Sequence, residues 1–490
     1  MDKNIQGESR LFINGELVDA ASGKTYTNYN PSTEEAIGEV ADAGKEDMEA
    51  AIAAARRAFD ETDWSTNHEF RLKCLKQLRD GFKKVQEELR YQVIAEVGAP
   101  LSITYGPQCD GPIDAINWSI ELLEKYQWNA ELPVVDTMAG PSKRLIWREA
   151  AGVVAAITPW NFPLQINVAK VIPALAAGCT VILKAAPETP WTATIFGKIA
   201  AEYTDIPPGV LNVITTSDRA GVAEMLTTDP RVDLISFTGS TATGRRIMAA
   251  GAATVKKVFL ELGGKSAHIV LDDADFNMGL LTGFAVCFHA GQGCAIPTRF
   301  LLPRSRYEEG VALLKAYLEN IPFGDPYSKN QFMGPLVSKI QHERVLSYIE
   351  KGKQEGARLV CGGEAAVGIS GKGYYVKPTI FADVTNGMTI AQEEIFGPVL
   401  SVISFEDDED AIRIANDSIY GLSGSVFSAD LDRALKVARR IRTGTLNVNG
   451  ANFFAPDAPF GGYKQSGIGR EMGVAGFEEY LEIKTVAIPA

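Results

Sequence analysis

The sequence predicts an α/β protein with two domains of mostly parallel sheet and a small third sheet assembled from separate parts of the chain. Three observations lead there. From residue 153 onward, short apolar runs alternate with amphipathic stretches, the pattern of βαβ units. The chain has 490 residues, and at roughly 150 residues per domain that length holds about three folding units. Apolar residues make up 46% and charged residues 22%, the proportions of a globular protein with a large core.

In chain order, Leu11-Phe12-Ile13, a turn at Asn14-Gly15 and Glu16-Leu17-Val18 read as an opening hairpin. A helical stretch covers 45 to about 101, with Ala51, Ala54, Ala55 and Phe59 at helical spacing. Segment 126–149 reads as two strands joined by a turn at Gly140-Pro141-Ser142. Buried strands at 153–157, 180–184, 211–214 and 234–237 alternate with helices at 163–177, 191–203 and 220–226. The same alternation returns with strands at 267–271, 298–302, 400–405 and 444–448 and helices at 307–318, 340–355 and 408–416. Segment 480–488 reads as a strand without a partner in its own domain. The chain thus divides into 1–125 with 150–262, then 263–470, then 126–149 with 471–490. The last two segments make a sheet with open edges, so a homodimer or homotetramer is expected.

The charge sum is 48 basic against 61 acidic residues, net −13, without blocks of Lys or Arg. That balance argues against nucleic acid and against anionic membrane as partners, since both demand clustered cations. The most apolar stretch, 150–157, falls far short of the roughly 20 residues needed to span a bilayer. The N-terminal MDKNIQGESR has no apolar core of a secretory signal. Six cysteines, at 74, 109, 179, 287, 294 and 361, contain no CxxC and read as reduced thiols of a cytoplasmic protein. Four scattered histidines, at 68, 268, 289 and 342, provide no metal site and no Ser-His-Asp triad.

Four places carry possible chemistry. The strand end before Thr238-Gly239-Ser240 runs into a helix whose free N–H groups suit a phosphate, or is an ordinary βα turn. Cys294 follows Gly291-Gln292-Gly293 and is either an accessible nucleophile, its own N–H aimed at an oxyanion, or a buried structural thiol. Glu261 lies in an apolar run ending at Gly263-Gly264 and is either a base with raised pKa or a salt-bridged carboxylate. Asn161, between Pro159 and Pro163, either completes an oxyanion hole or caps the following helix.

Together with their surroundings these residues resemble the NAD(P)-dependent aldehyde dehydrogenase superfamily. The motifs are PWNFP (159–163), FTGS with a following Gly (237–244), LELGGKS (260–266), GQGC (291–294), EEIFGPV (393–399), NDSIYGLSGSVF (416–427) and PFGGYKQSGIGRE (459–471). The match runs from the opening hairpin to the C-terminal strand, in the family's order. It implies an aldehyde dehydrogenase-like fold: a five-stranded Rossmann-like cofactor domain, an α/β catalytic domain and an oligomerisation sheet. It also implies oxidation of an aldehyde to the acid. Cys294 would attack the carbonyl, Asn161 and the Cys294 N–H would hold the oxyanion, and Glu261 would activate the water that hydrolyses a thioester. Lys170 would assist proton relay. NAD, with NADP as a second possibility, would rest on Ile157, Thr158, Pro159, Trp160, Lys184, Ala186, Gly239, Ser240, Leu262, Glu394 and Phe396. A CoA-acylating semialdehyde dehydrogenase and a cysteine-dependent ester hydrolase are the alternatives, the first disfavoured by the presence of Glu261.

The chain departs from the family pattern at three positions. Pro187 stands three places after Lys184, where many relatives have a carboxylate for the adenosine ribose, and Glu188 comes one place later. No neighbouring residue reads as a clamp for a 2′-phosphate. Gly293 precedes Cys294 where some relatives have a second thiol, and His289 stands where Asn is frequent. The positions matching the family's substrate funnel are Phe162, Ile166, Phe288, Phe454 and Phe460, all apolar and without an arginine, with small Ala169 nearby. They imply an apolar aldehyde: aliphatic, aromatic or terpenoid.

Overall fold

The computed structural model describes residues 5–368 and 371–490. The reading of MDKNIQGESR therefore falls partly outside the described residues.

Three segments, VVAAI, TVILK and LISFT, are buried along their whole length, as strands covered on both faces must be. They form the centre of an eight-stranded sheet ordered Glu16–Val18, Leu11–Ile13, Leu211–Ile214, Thr180–Lys184, Val153–Ile157, Leu234–Thr238, Lys257–Glu261, Gly467–Ile468. The five strands from Leu211–Ile214 to Lys257–Glu261 are parallel. The opening hairpin adds antiparallel at one edge through Phe12 opposite Val213. Gly467–Ile468 adds antiparallel at the other, although the sequence grouped it with the second domain. From Val153–Ile157 the chain builds outward in one direction, then returns to build in the other from Leu234–Thr238. The sheet's switch point lies between those two strands, and ligands of such sheets bind beyond the strands' C-terminal ends. Thr158 and Gly239 flank it.

A second, seven-stranded sheet is ordered Arg358–Cys361, Thr379–Ala382, Val399–Phe405, Arg299–Pro303, Ala267–Val270, Gly424–Phe427, Asn447–Val448. Only Arg358–Cys361 is antiparallel to its neighbour. Helices Tyr307–Leu318, Lys339–Gln354 and Asp408–Asn416 fall where the periodicity places them.

The third sheet joins Leu481–Pro489, Gly140–Ala150 and Asn129–Thr137, all antiparallel. Its turn is at Met138-Ala139, so Gly140-Pro141-Ser142 belongs to the second strand, contrary to the sequence expectation. The C-terminal strand pairs with Gly140–Ala150, from Leu481 opposite Ala150 to Pro489 opposite Ser142, so the two segments share one small sheet as the sequence suggested.

The stretch from 45 to 101 is not one helix. It divides into Lys45–Glu61, His68–Val97 and Leu101–Thr104. Asn67 starts the second by accepting the Phe70 N–H, and Gly98 ends it at φ +69, a conformation that favours glycine. A hairpin, Thr25–Tyr29 with Ala36–Ala41, and a helix, Asp110–Lys125, were not read from the sequence. Among the described residues no helix is long and apolar enough to cross a membrane, and no cluster of His, Cys, Asp and Glu suits a metal.

Candidate active site

The C-terminal edge of the first sheet is lined by polar groups without partners. The Thr158 and Thr238 hydroxyls are buried and make no hydrogen bond, and neither does Glu188 Oε2. Lys184 ends its strand buried, with its pKa pulled down to about 8 by desolvation. The Thr158 N–H donates to the Lys184 carbonyl at 3.1 Å, and the Gly239 N–H to the Glu261 carbonyl at 3.0 Å. Ser240 caps helix Thr241–Gly251 by accepting the Thr243 N–H. Leu262 packs under that helix, where a Cβ on Gly244 would come within 2.7 Å of it. Orphaned buried hydroxyls and a carboxylate oxygen around a sheet's switch point fit the riboses and phosphates of a dinucleotide.

The loop leading to Cys294 reverses direction through three consecutive left-handed residues: His289 at φ +50, Ala290 at +53 and Gly291 at +73. A Cβ on Gly291 would meet the Gly397 carbonyl at 2.2 Å, so only glycine fits. Gln292 holds the loop. Its side-chain amide donates to the His289 carbonyl at 3.1 Å and the Pro335 carbonyl at 3.3 Å, and its Oε1 accepts the Val337 N–H at 2.9 Å. The Asn161 amide donates to the Gln292 carbonyl at 2.9 Å, and Gln108 donates to the Asn161 carbonyl at 2.8 Å. Asn161 does not cap the helix that follows: no side-chain cap is present there. Cys294 is a free thiol, partly open to solvent.

Gly263-Gly264 is the seam where these parts meet. A Cβ on Gly264 would lie 2.5 Å from the Cys294 carbonyl, and one on Gly263 2.3 Å from Glu394 Oε2. The Gly264 N–H donates to Glu394 Oε1 at 2.9 Å. Burial lifts the Glu394 pKa to about 7 against that bond and the charge of Lys265.

Glu261 ends strand Lys257–Glu261 with both carboxylate oxygens buried and unpartnered. Burial, then the Glu471 charge, raises its pKa well above the carboxylate range, while Lys170 and Arg470 pull the other way. Lys170 pairs with Glu471 at 2.9 Å and donates to Ser236 at 3.1 Å, and the Ser236 and Tyr480 hydroxyls are 3.1 Å apart. The Cys294 thiol is pushed up by burial first, then by Glu261, Glu394 and Glu471. The Cys294 thiol and the Glu261 carboxyl are thus both held towards their neutral forms.

The predicted aromatic positions fall into two groups. Phe162 stacks with Phe288 at 6.4 Å, and its ring is 3.7 Å from where a Cβ on Gly293 would sit, next to Cys294. Phe460 and Phe454 pack with Phe453 at 6.0 to 6.5 Å, with Phe454 42% exposed. Ile166 is buried on helix Pro163–Ala177. Trp160 meets Phe396 edge-on at 5.4 Å. Pro159 is half-buried, and Ile157 and Ala186 are buried. His289 is buried beside Phe162, with neither ring nitrogen hydrogen-bonded and its pKa pulled down to about 4 by desolvation.

Sequence reasoning assigned no role to Gln108, Gln292, Ser236, Glu471 or Tyr480. Gln292 and Glu471 lie inside quoted motifs, which was the available signal. The sequence showed no clamp for a 2′-phosphate near Lys184; the structure brings Arg219 there from a turn distant in sequence, in an ion pair with Glu188.

The model of the aldehyde dehydrogenase family matches residues 17–486. The chain is 42% identical to 3-succinoylsemialdehyde-pyridine dehydrogenase of a Pseudomonas species, over 97% of this chain and 98% of the relative. Among solved structures it resembles a Mycobacterium tuberculosis aldehyde dehydrogenase complexed with NAD+, with TM-score 0.92, 42% identity and 98% of each chain covered. It also resembles a cysteine-to-alanine variant of aldehyde dehydrogenase C from Pseudomonas syringae complexed with NAD+ and octanal, with TM-score 0.92, 39% identity, and 98% and 96% covered. With the thiol loop, the paired glycines and the switch-point edge in place, the chain belongs to the aldehyde dehydrogenase family.

Proposed function

We propose that the protein is an NAD-dependent aldehyde dehydrogenase that oxidises an uncharged, apolar aldehyde to the carboxylic acid through a thiohemiacetal and a thioester on Cys294. The observation that carries the substrate class is the stacked Phe162–Phe288 pair beside Gly293 and Cys294. A semialdehyde with a carboxylate would call for an arginine there, and the pocket positions contain none. The octanal bound by the Pseudomonas syringae relative agrees with this reading.

Cys294 adds through sulfur to the carbonyl carbon as its proton passes to solvent, to which the thiol is partly open. The Asn161 amide nitrogen has two hydrogens. One is fixed on the Gln292 carbonyl, which orients the group and leaves the second for the oxyanion beside the Cys294 N–H. Each such donor lowers the barrier by about 3 kcal/mol. When bound, the dinucleotide supplies the hydride acceptor, so collapse of the tetrahedral adduct leaves a Cys294 thioester. Thr158, Thr238, Lys184, Gly239, Ser240 and Glu394 would hold that group. Glu261 then takes a proton from water as the water attacks the thioester, and the acid departs with restoration of the thiol.

Segments 1–125 and 150–262 would form the cofactor domain, 263–470 the catalytic domain, and 126–149 with 471–490 the oligomerisation sheet. That sheet and its turn leave Val134, Met138 and Ile483 exposed, apolar surface suited to a second copy in a homodimer or homotetramer. The enzyme would work in the cytoplasm. The test is turnover with NAD of octanal, benzaldehyde and succinic semialdehyde. The reading expects the first two to outrun the third in kcat/KM, and the reverse order overturns the apolar assignment.

A further inference from the structure

Strand Thr180–Lys184 ends at Lys184, and the turn beyond it brings Glu188 to the same edge of the sheet. Glu188 Oε1 accepts from Arg219 at 2.5 Å, while Oε2 is buried with no partner. The Glu188 side chain is 13% exposed and that of Arg219 59%, so the carboxylate is fixed in the wall and the guanidinium stands at the rim. Arg219 comes from the turn after Leu211–Ile214, the strand that pairs with Thr180–Lys184 through Ile214 opposite Lys184. Asp218 is occupied in that turn, accepting the N–H groups of Ala220, Gly221 and Val222. Lys184 feels Glu188, Arg219 and Asp218 directly, so the four charges form one cluster at the strand ends.

The two nicotinamide dinucleotides differ at a single place, the 2′ position of the adenosine ribose. A 2′-hydroxyl needs an acceptor. A 2′-phosphate is repelled by a carboxylate and needs a cation, which a guanidinium meets with two parallel bonds. Pro187 can offer neither. We infer, resting on the dinucleotide reading above, that Glu188 and Arg219 are a selector for the adenosine 2′ position that admits both NAD and NADP. With the pair closed, Glu188 Oε2 accepts the hydroxyl. With a phosphate present, Arg219 turns from Glu188 onto it, the exposed side chain being free to move and the carboxylate not. Glu188 stays beside the phosphate, so NAD remains the tighter ligand. The selector works from a position one residue later than the family pattern, with its cation supplied by a neighbouring turn.

Calorimetric titration of the intact protein with NAD and with NADP, without aldehyde, tests this. Wild-type protein is expected to bind both, NAD more tightly. Arg219→Ala should weaken NADP by about tenfold or more, the loss of a charge-assisted phosphate contact, with NAD unchanged. Arg219→Lys should restore part of the loss. Glu188→Gln, which keeps shape and volume, should weaken NAD and tighten NADP. An Arg219→Ala variant with the wild-type ratio of affinities overturns the inference, as does wild-type protein that binds NAD and not NADP. Protein that binds neither nucleotide overturns the dinucleotide reading itself.

Discussion

The Asn161 amide donates to the Gln292 carbonyl at 2.9 Å, so the turn after strand Val153–Ile157 and the loop bearing Cys294 are tied together across 131 residues of sequence. Gln292 is in turn clamped to Pro335 and Val337, and Gln108 anchors Asn161 from behind. The geometry at Cys294 is built into the fold before substrate arrives.

Gln292→Ala releases the loop at three hydrogen bonds while leaving Cys294, Asn161 and Glu261 in the chain. The expected outcome is a fall of about 100-fold in kcat, with the dinucleotide affinity unchanged. Stopped-flow kinetics alongside nucleotide titration checks the split.

Lys170 and Glu471 act on Glu261 with opposite sign. Glu471→Gln removes a negative neighbour, lowers the Glu261 pKa and should move the rising limb of the pH–rate profile to lower pH. Lys170→Met removes the positive neighbour and should move it to higher pH. A purely structural pair would lower the rate without moving either limb.

His268 and His289 are both fully buried with pKa values pulled down to about 4 by desolvation. Unfolded, each takes up a proton near 6.5. Between those values the unfolded chain binds more protons, so this stability is present above about pH 6.5 and is lost as pH falls towards 4. The loss approaches roughly 3 kcal/mol per histidine. Denaturant midpoints from pH 7 to pH 5 should fall in wild-type protein and fall less in His289→Asn. Asparagine also tolerates the left-handed backbone there.

Removing one partner of the buried Lys170–Glu471 pair leaves a charge without compensation. Lys170→Met should cost about 3–5 kcal/mol in chemical unfolding, and the double variant Lys170→Met with Glu471→Gln should recover much of that. A double variant whose loss equals the sum of the two single losses would contradict the coupling.

The parallel strands were legible because Val153–Ile157 and Thr180–Lys184 are buried on both faces and leave uninterrupted apolar runs. The hairpin Thr25–Tyr29 with Ala36–Ala41 was not, because its residues are mostly half-buried or exposed and carry no strong alternation. Cys294, Glu261 and Asn161 stood out by local context: glycines, an apolar run, two prolines. Lys170 was marked by the family resemblance, but the partners Glu471, Ser236 and Tyr480 were not, because they are distant in sequence from the groups they touch. Lys170 and Glu471 lie 301 residues apart, and Ser236 and Tyr480 lie 244 apart. Arg219 reaches Glu188 from the next βα turn, a contact set by strand order and not by spacing.

If an aldehyde is oxidised while covalently bound to Cys294 and released by water that Glu261 activates, blocking release should trap the acyl enzyme. The direct measurement is rapid mixing of Glu261→Gln protein with NAD and octanal, following reduced nicotinamide and the intact protein mass together. The expected result is a burst of reduced nicotinamide, an acyl adduct on Cys294, and steady-state turnover slowed by about 100-fold or more. Full turnover without an adduct, or a burst that persists in Cys294→Ala, would contradict it.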